Sequence, residues 1–353
     1  MDHAARVARL QEKLERPLLV ASLANIRYLT GFSGSFAFVV VGPQSFIFIT
    51  DGRYGESAAP LVDAIAGAEL IIHSGGVNAT IARIFTDASV VDVESAHISW
   101  EAMRSLAAET PARLEPTVGV VEDLRRVKTP DEVAAVRAAC GAGDAAFDQL
   151  AEIAAAADTE GELGWGLIDA MRRAGGTAAG WSPIVAIGVH ASVPHHRSGT
   201  GTIADGLLLL DYGCEVDGYQ SDMSRTVWRG PGEDVEMERV YAAVRDAQQA
   251  GVDAVGPGAV AGDIDEVCRS VLDRYGYLDY FLHSTGHGVG LEIHEAPWIR
   301  AGSEDILEAG HIITVEPGVY LSGRGGVRIE DTVVVTDSGC ENLTLSHKEF
   351  HLT

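Results

Sequence analysis

The sequence predicts an α/β (α+β) protein of two domains, and three observations carry that expectation. At 353 residues the chain is long for one hydrophobic core. Over roughly the first hundred residues, short apolar runs of β type alternate with helically spaced segments and short connections. Around residues 116–130 the texture changes to Ala-rich helices followed by β-branched, Gly-punctuated strands, which puts the boundary near Glu122 and the domains at 1–122 and 123–353.

Each element has a local reason. Residues 4–15 carry Val7, Leu10 and Leu14 on one helical face, and an apolar strand follows at 17–22. FAFVVV and SFIFIT are two strands joined at Gly42-Pro43, a turn signal. Residues 62–72, 80–85, 89–93 and 100–108 continue the alternation. Thr129-Pro130-Asp131-Glu132 supplies an N-cap and a proline at the first helical position, opening one long Ala-rich helix. A second helix covers residues 160–174 and stops at Gly175-Gly176. SPIVAIG is a strand, VHASVPHHRSGTG a polar loop, and residues 236–250 and 264–275 are helices before the chain returns to strands. Helix pairs followed by strands thus occur twice, which suggests an internal duplication.

Composition narrows the function. The net charge of −25 argues against nucleic acid and anionic membrane surfaces, both of which need Lys and Arg. It suits cations and substrates with a positive amine, although a solvated acidic surface accounts for most of it. No apolar run approaches a membrane span, and MDHAARVARLQEKLERPLLV lacks the uninterrupted apolar stretch of a signal peptide, so a cytoplasmic protein is expected. Cys140, Cys214, Cys268 and Cys340 are widely spaced with no C-x-x-C, which points to neither a disulfide framework nor a thiolate zinc site.

The chemistry centres on LLLLDYGCEVDGYQSDMSRT, residues 207–226. Four leucines read as a buried strand, and Asp217-Gly218 signals a two-residue hairpin turn. That turn pairs Val216 with Tyr219 and Gly213 with Asp222, making Asp211 and Asp222 diagonal neighbours on one face. Two carboxylates so placed repel unless a cation lies between them. A solvated hairpin face is the bland alternative, and the other acidic strands weigh against it. HSTGHGVGLEIHE holds His287 between Gly286 and Gly288, glycines that allow close backbone approach. HIITVEPGVYL ends an apolar strand at Glu316, and GGVRIEDTVVVT sets Glu330 inside another strand, with Arg328 near enough to pair with it. Two Asp, two Glu and one His form a hard, oxygen-rich set suited to two divalent ions, Mn, Co or Zn, about 3.5 to 4 Å apart.

These residues resemble the pita-bread-fold metallopeptidases, in the branch of Xaa-Pro aminopeptidases (aminopeptidase P) and Xaa-Pro dipeptidases (prolidase). The resemblance spans nearly the whole chain. NIRYLTGFSGS and TDGRYGESA are similar to the branch's creatinase-type N-terminal domain, and the motifs above, with TVEPGVY and GVRIEDTVVV, to its pita-bread catalytic domain. The resemblance implies that Asp211, Asp222, His287, Glu316 and Glu330 are dinuclear metal ligands, with Asp222 and Glu330 bridging. It further implies that His195 contacts substrate near the scissile peptide, that His294 polarises its carbonyl, and that Glu316 shuttles the proton to the leaving proline nitrogen. Tyr219 and Arg328 match supporting positions, and His196 is the less favoured of its pair. A homodimer and a proline-containing peptide substrate are implied in the same way, with manganese as the expected metal.

One departure bears on specificity. Many dipeptidases of the branch carry Arg just after H-E-x-P, where it pairs with a dipeptide's carboxylate; HEAPWIR has Trp298 there and Arg300 two residues on. Loss of such a contact, worth roughly 1.5 to 3 kcal/mol, favours the aminopeptidase over the dipeptidase. Methionine aminopeptidases lack the first domain, creatinase works without metal, and a non-catalytic peptide-binding relative would have lost ligands that are intact here. Trp181, Phe281 and Tyr320 are candidate pocket walls.

Overall fold

The structure is a computed structural model and describes residues 1–352. It divides into two compact units, Met1–Arg125 and Arg126–Thr353.

In the first unit the hairpin of Phe38–Gly42 and Ser45–Asp51 closes at Gly42, which pairs with Ser45, as the turn signal requires. Around it lies a six-stranded mixed sheet, in the order Ala68–His73, Ser45–Asp51, Phe38–Gly42, Leu18–Val20, Val90–Glu94, Arg113–Thr117. Its core includes Leu19, Val40, Ile49, Phe85 and Val91. Residues 62–72 divide between the helix Gly55–Asp63 and the strand Ala68–His73. A helix without a clear periodic signal, Leu23–Thr30, is fixed by its ends: the Ser22 hydroxyl accepts from the Asn25 amide, and Gly31 takes the left-handed conformation.

The second unit repeats one theme. Helices Pro130–Phe147 and Glu160–Arg173 precede an antiparallel sheet ordered Met223–Arg229, Gly206–Tyr212, Ile184–Ile187. Helices Val235–Asp253 and Ala261–Tyr275 then precede a five-stranded sheet ordered Glu295–Ile299, Gly286–Gly288, Ile312–Val315, Asp331–Thr336, Gly339–Asn342. The two sheets meet where the Glu330 amide donates to the Ser224 carbonyl at 3.0 Å. At Thr129 the Glu132 carboxylate accepts from the cap amide at 2.9 Å. The long helix expected from there ends at Phe147 and resumes as Leu150–Ala156. The break turns Leu150 and Ala154 onto the cluster that already buries Phe147 and Leu167. Among the described residues no helix is long and apolar enough to cross a membrane.

Candidate metal centre

The hairpin forms with the register its sequence requires. Asp217 and Gly218 both have positive φ, 52° and 88°, the geometry of a two-residue hairpin turn, and Val216 pairs with Tyr219. Asp211 pairs with Ser224, which leaves Asp222 its diagonal neighbour. His287 lies at a β-bulge opposite the Glu295–Ile299 strand, a feature that re-aims side chains. The flanking glycines are there for backbone approach: a Cβ on Gly286 would overlap the Thr314 carbonyl, and one on Gly288 the Ala296 carbonyl. Glu316 follows Ile312–Val315, its amide donating to the Thr285 carbonyl at 2.7 Å.

Glu330 departs from expectation. It sits not within a strand but at the break between Gly325–Arg328 and Asp331–Thr336, where the chain leaves a two-stranded ribbon for the five-stranded sheet. The change of partner lets its amide join the first sheet while its side chain stays buried at 1% exposure.

These strands converge on one cavity of about 520 Å³, lined by Asp211, Asp222, His287, Glu316 and Glu330. One donor atom each from Asp222, His287 and Glu330 lie within 4.8 Å of one another. His287 Nε2 is 3.3 Å from Glu316 Oε1 and 3.6 Å from Asp222 Oδ2. Burial, then the neighbouring carboxylates, drives the Asp222 and Glu330 carboxyls well above their usual range. Asp211 is raised too, by burial, although Arg328 donates to its Oδ2 at 2.5 Å. Burial is the largest single influence and opposes charge on both His287 and Glu316, but their hydrogen bond and mutual attraction, with the other charges and hydrogen bonds nearby, together outweigh it and hold the imidazole above and the carboxyl below the ordinary values.

Glu330 Oε2 accepts from Ser224 Oγ at 2.8 Å, whereas Oε1 is buried with no hydrogen-bond partner. A buried carboxylate oxygen without a donor, among carboxyls that burial pushes toward protonation, makes a donor set whose charge and lone pairs a cation would satisfy. The residues therefore fit divalent metal.

The sequence matches metallopeptidase family M24 over residues 134–337 and the creatinase/prolidase N-terminal domain over residues 6–127. This chain belongs to metallopeptidase family M24. It is 31% identical to the Xaa-Pro dipeptidase of Pyrococcus furiosus over 94% of both chains. Among solved structures it resembles an Xaa-Pro dipeptidase from Bacillus anthracis, with TM-score 0.93 and 33% identity, covering 99% of this chain and all of the other. It also resembles an X-Pro aminopeptidase from Thermotoga maritima, with TM-score 0.86 and 28% identity, covering 98% of this chain and all of the other.

Of the remaining site candidates in this M24 peptidase, His195, His294, Trp298 and Arg328 line the cavity. His294 stands edge-on to His287, ring centroids 4.4 Å apart, and burial and the His287 charge lower its pKa. Tyr219 does not line the cavity. It is buried at 2% exposure with its hydroxyl donating to Glu132 Oε1 at 2.7 Å, which ties the hairpin to the cap of helix Pro130–Phe147. Trp181 is a wall; Phe281 and Tyr320 do not line the cavity but support His283, which does, Phe281 packed on its ring at 5.0 Å and Tyr320 hydrogen-bonded to its Nε2 at 2.9 Å. His283 also reaches the cavity, a residue that no sequence motif singles out because it lies in the irregular run before the strand Gly286–Gly288.

Proposed function

We propose that this M24 peptidase is a dinuclear-metal aminopeptidase, releasing the amino-terminal residue from peptides with proline second. The observation that carries the choice is the state of the cations around the cavity. Arg300 is exposed and lies over the Trp298 ring, 5.7 Å from its centroid, rather than lining the cavity. Arg328 lines it but is committed to Asp211, Ser224, Tyr320 and the Pro194 carbonyl. Among the described residues of this unit, no arginine or lysine that lines the cavity is left to pair with a dipeptide's carboxylate, so a chain that continues past proline forgoes no guanidinium or ammonium contact. The names of the Pyrococcus and Bacillus relatives favour the second reading, an Xaa-Pro dipeptidase.

In this reading Asp211, Asp222, His287, Glu316 and Glu330 hold two divalent ions, manganese first among them. When bound, the ions supply Lewis acidity and lower the pKa of water. Glu316 accepts the proton of the attacking water and returns it to the leaving proline nitrogen. His294, on the exposed rim beside His287, faces the scissile carbonyl and donates to the oxygen as charge develops there. His195, across the cavity, contacts the substrate near the scissile peptide. Trp181, Ile184 and Ile293 supply apolar surface for the proline ring. A homodimer is part of the same reading, and sedimentation would report it.

The test is hydrolysis by manganese-loaded protein of an Xaa-Pro dipeptide and of the same sequence extended by one or two residues, with a chelated control. Faster cleavage of the extended peptide is expected. Cleavage confined to the dipeptide would establish the second reading, and activity that survives chelation would overturn both.

A further inference from the structure

Among the described residues, two groups of three side chains bring one potential ligand atom each within 4.8 Å. One is the centre above. The other is Glu160, His190 and His196, none of which lines the catalytic cavity. We infer that Glu160, His190 and His196 form a separate metal site, taking one imidazole-preferring divalent ion of the zinc, nickel or copper class. This inference does not depend on the proline specificity proposed above.

Glu160 opens helix Glu160–Arg173 and is 1% exposed. Its Oε1 lies 2.7 Å from His190 Nδ1, and its Oε2 lies 2.9 Å from His196 Nε2. The two rings stack at 4.6 Å with 24° between their planes, so both present a nitrogen to the same carboxylate from the same side. Burial resists ionisation of Glu160, but the His196, Ile187 and His190 contacts outweigh it and hold its pKa below the ordinary value. The carboxylate is therefore already in the charge state that a metal requires. The Ile187 amide donates to Oε1 at 3.0 Å, which fixes its direction as an outer partner of a metal ligand does.

The backbone around the group is equally set. Glu160 and Gly161 donate to the carbonyls of Gly201 and Gly199 at 2.8 and 3.0 Å, and a Cβ on Gly201 would press into the Glu160 carboxylate. The partly exposed His190 side chain leaves an approach from solvent. Around a tetrahedral ion with ligands at about 2.1 Å, neighbouring donors lie about 3.4 Å apart, so the imidazoles need to open by about 0.5 to 0.7 Å from their present 2.9 and 2.7 Å.

The donor sets also separate the two sites by chemistry. Two imidazoles and one carboxylate select zinc, nickel or copper, whereas four carboxylates and one imidazole accept manganese. An ion here would join the end of strand Ile184–Ile187, the loop and the helix, pinning the segment that carries Pro194 and His195 into the cavity.

The test starts from manganese-loaded protein dialysed to equilibrium against zinc, comparing the wild type with His190→Asn, a partly exposed position where asparagine keeps a hydrogen-bonding group. The wild type should retain one more equivalent of zinc than the variant, whose affinity at this site should fall at least tenfold. Equal zinc content and affinity in the two proteins would overturn the inference. Diethylpyrocarbonate labelling mapped by mass spectrometry checks the wild type alone: zinc should protect His190 and His196, and undiminished labelling with zinc present would equally overturn it.

Discussion

Arg328 shows how much one side chain can settle at this centre. Its guanidinium donates to Asp211 Oδ2 at 2.5 Å, Tyr320 Oη at 2.6 Å, Ser224 Oγ at 2.8 Å and the Pro194 carbonyl at 3.3 Å. Burial works against its charge, but Tyr320, Asp211, Glu316 and Glu330 outweigh that, so it stays a cation at any working pH. It aims Asp211 and, through Ser224, Glu330 as well. A planar fork serving several acceptors has no lysine equivalent. Arg328→Lys should therefore keep the fold but lower metal affinity and kcat/KM by about 10- to 100-fold, the usual cost of losing a group that orients metal ligands. Metal titration together with circular dichroism checks this, and unchanged affinity in a folded variant would refute it. The sequence put Arg328 close to Glu330, yet the carboxylate it donates to directly is Asp211, a partner 117 residues away that only folding supplies.

At the scale of elements, the glycine-flanked strand Gly286–Gly288 was legible as a place of close approach, but not what approaches. The structure supplies Thr314 on one side and Ala296 on the other, with the bulge turning His287 toward Asp222 and Glu316. Gly286→Ala would push a methyl group into the Thr314 carbonyl of the adjacent strand. Overpacking of this kind costs about 1–3 kcal/mol. The urea midpoint should fall with an unchanged slope, and His287 should bind metal more weakly; an unaltered midpoint would mean that the adjacent strand yields to the methyl group at no cost. The hairpin is the opposite case. Its turn residues and apolar run determine register locally, so the placement of Asp211 and Asp222 followed from counting.

For the whole molecule, the acidic centre links folding to metal and pH. Asp211, Asp222 and Glu330 have folded pKa values above the unfolded ones, burial being the leading cause. A raised carboxyl pKa contributes stability that is complete below the unfolded value, near 4, and is lost as pH rises through the folded value. Glu316, held low by His287, has the reverse dependence and offsets part of this. Metal-free protein should therefore lose stability as pH rises from about 4 toward neutrality, and divalent metal should restore it by taking the place of the protons. At a free concentration one hundred times Kd the gain is about 2.7 kcal/mol, or about 5–10 °C in Tm for a unit of this size. Calorimetry across pH with manganese and with chelator measures it, and parallel curves would contradict the linkage.

Local chemistry was enough for much of this. Period and turn residues determined the α/β class, the paired helices and the Asp211/Asp222 register, while motif spacing pointed to the five ligand-type residues, because backbone geometry acts between near neighbours. Tertiary structure decided what depends on distant partners. It broke the long helix at residue 148 and moved Glu330 to a change of sheet. It also withdrew Tyr219 to Glu132, brought His283 to the cavity wall and gathered His190 and His196 on Glu160. Each of these is a side chain whose environment is built from segments far apart in the chain, and no local rule ranks such pairings until burial selects among them.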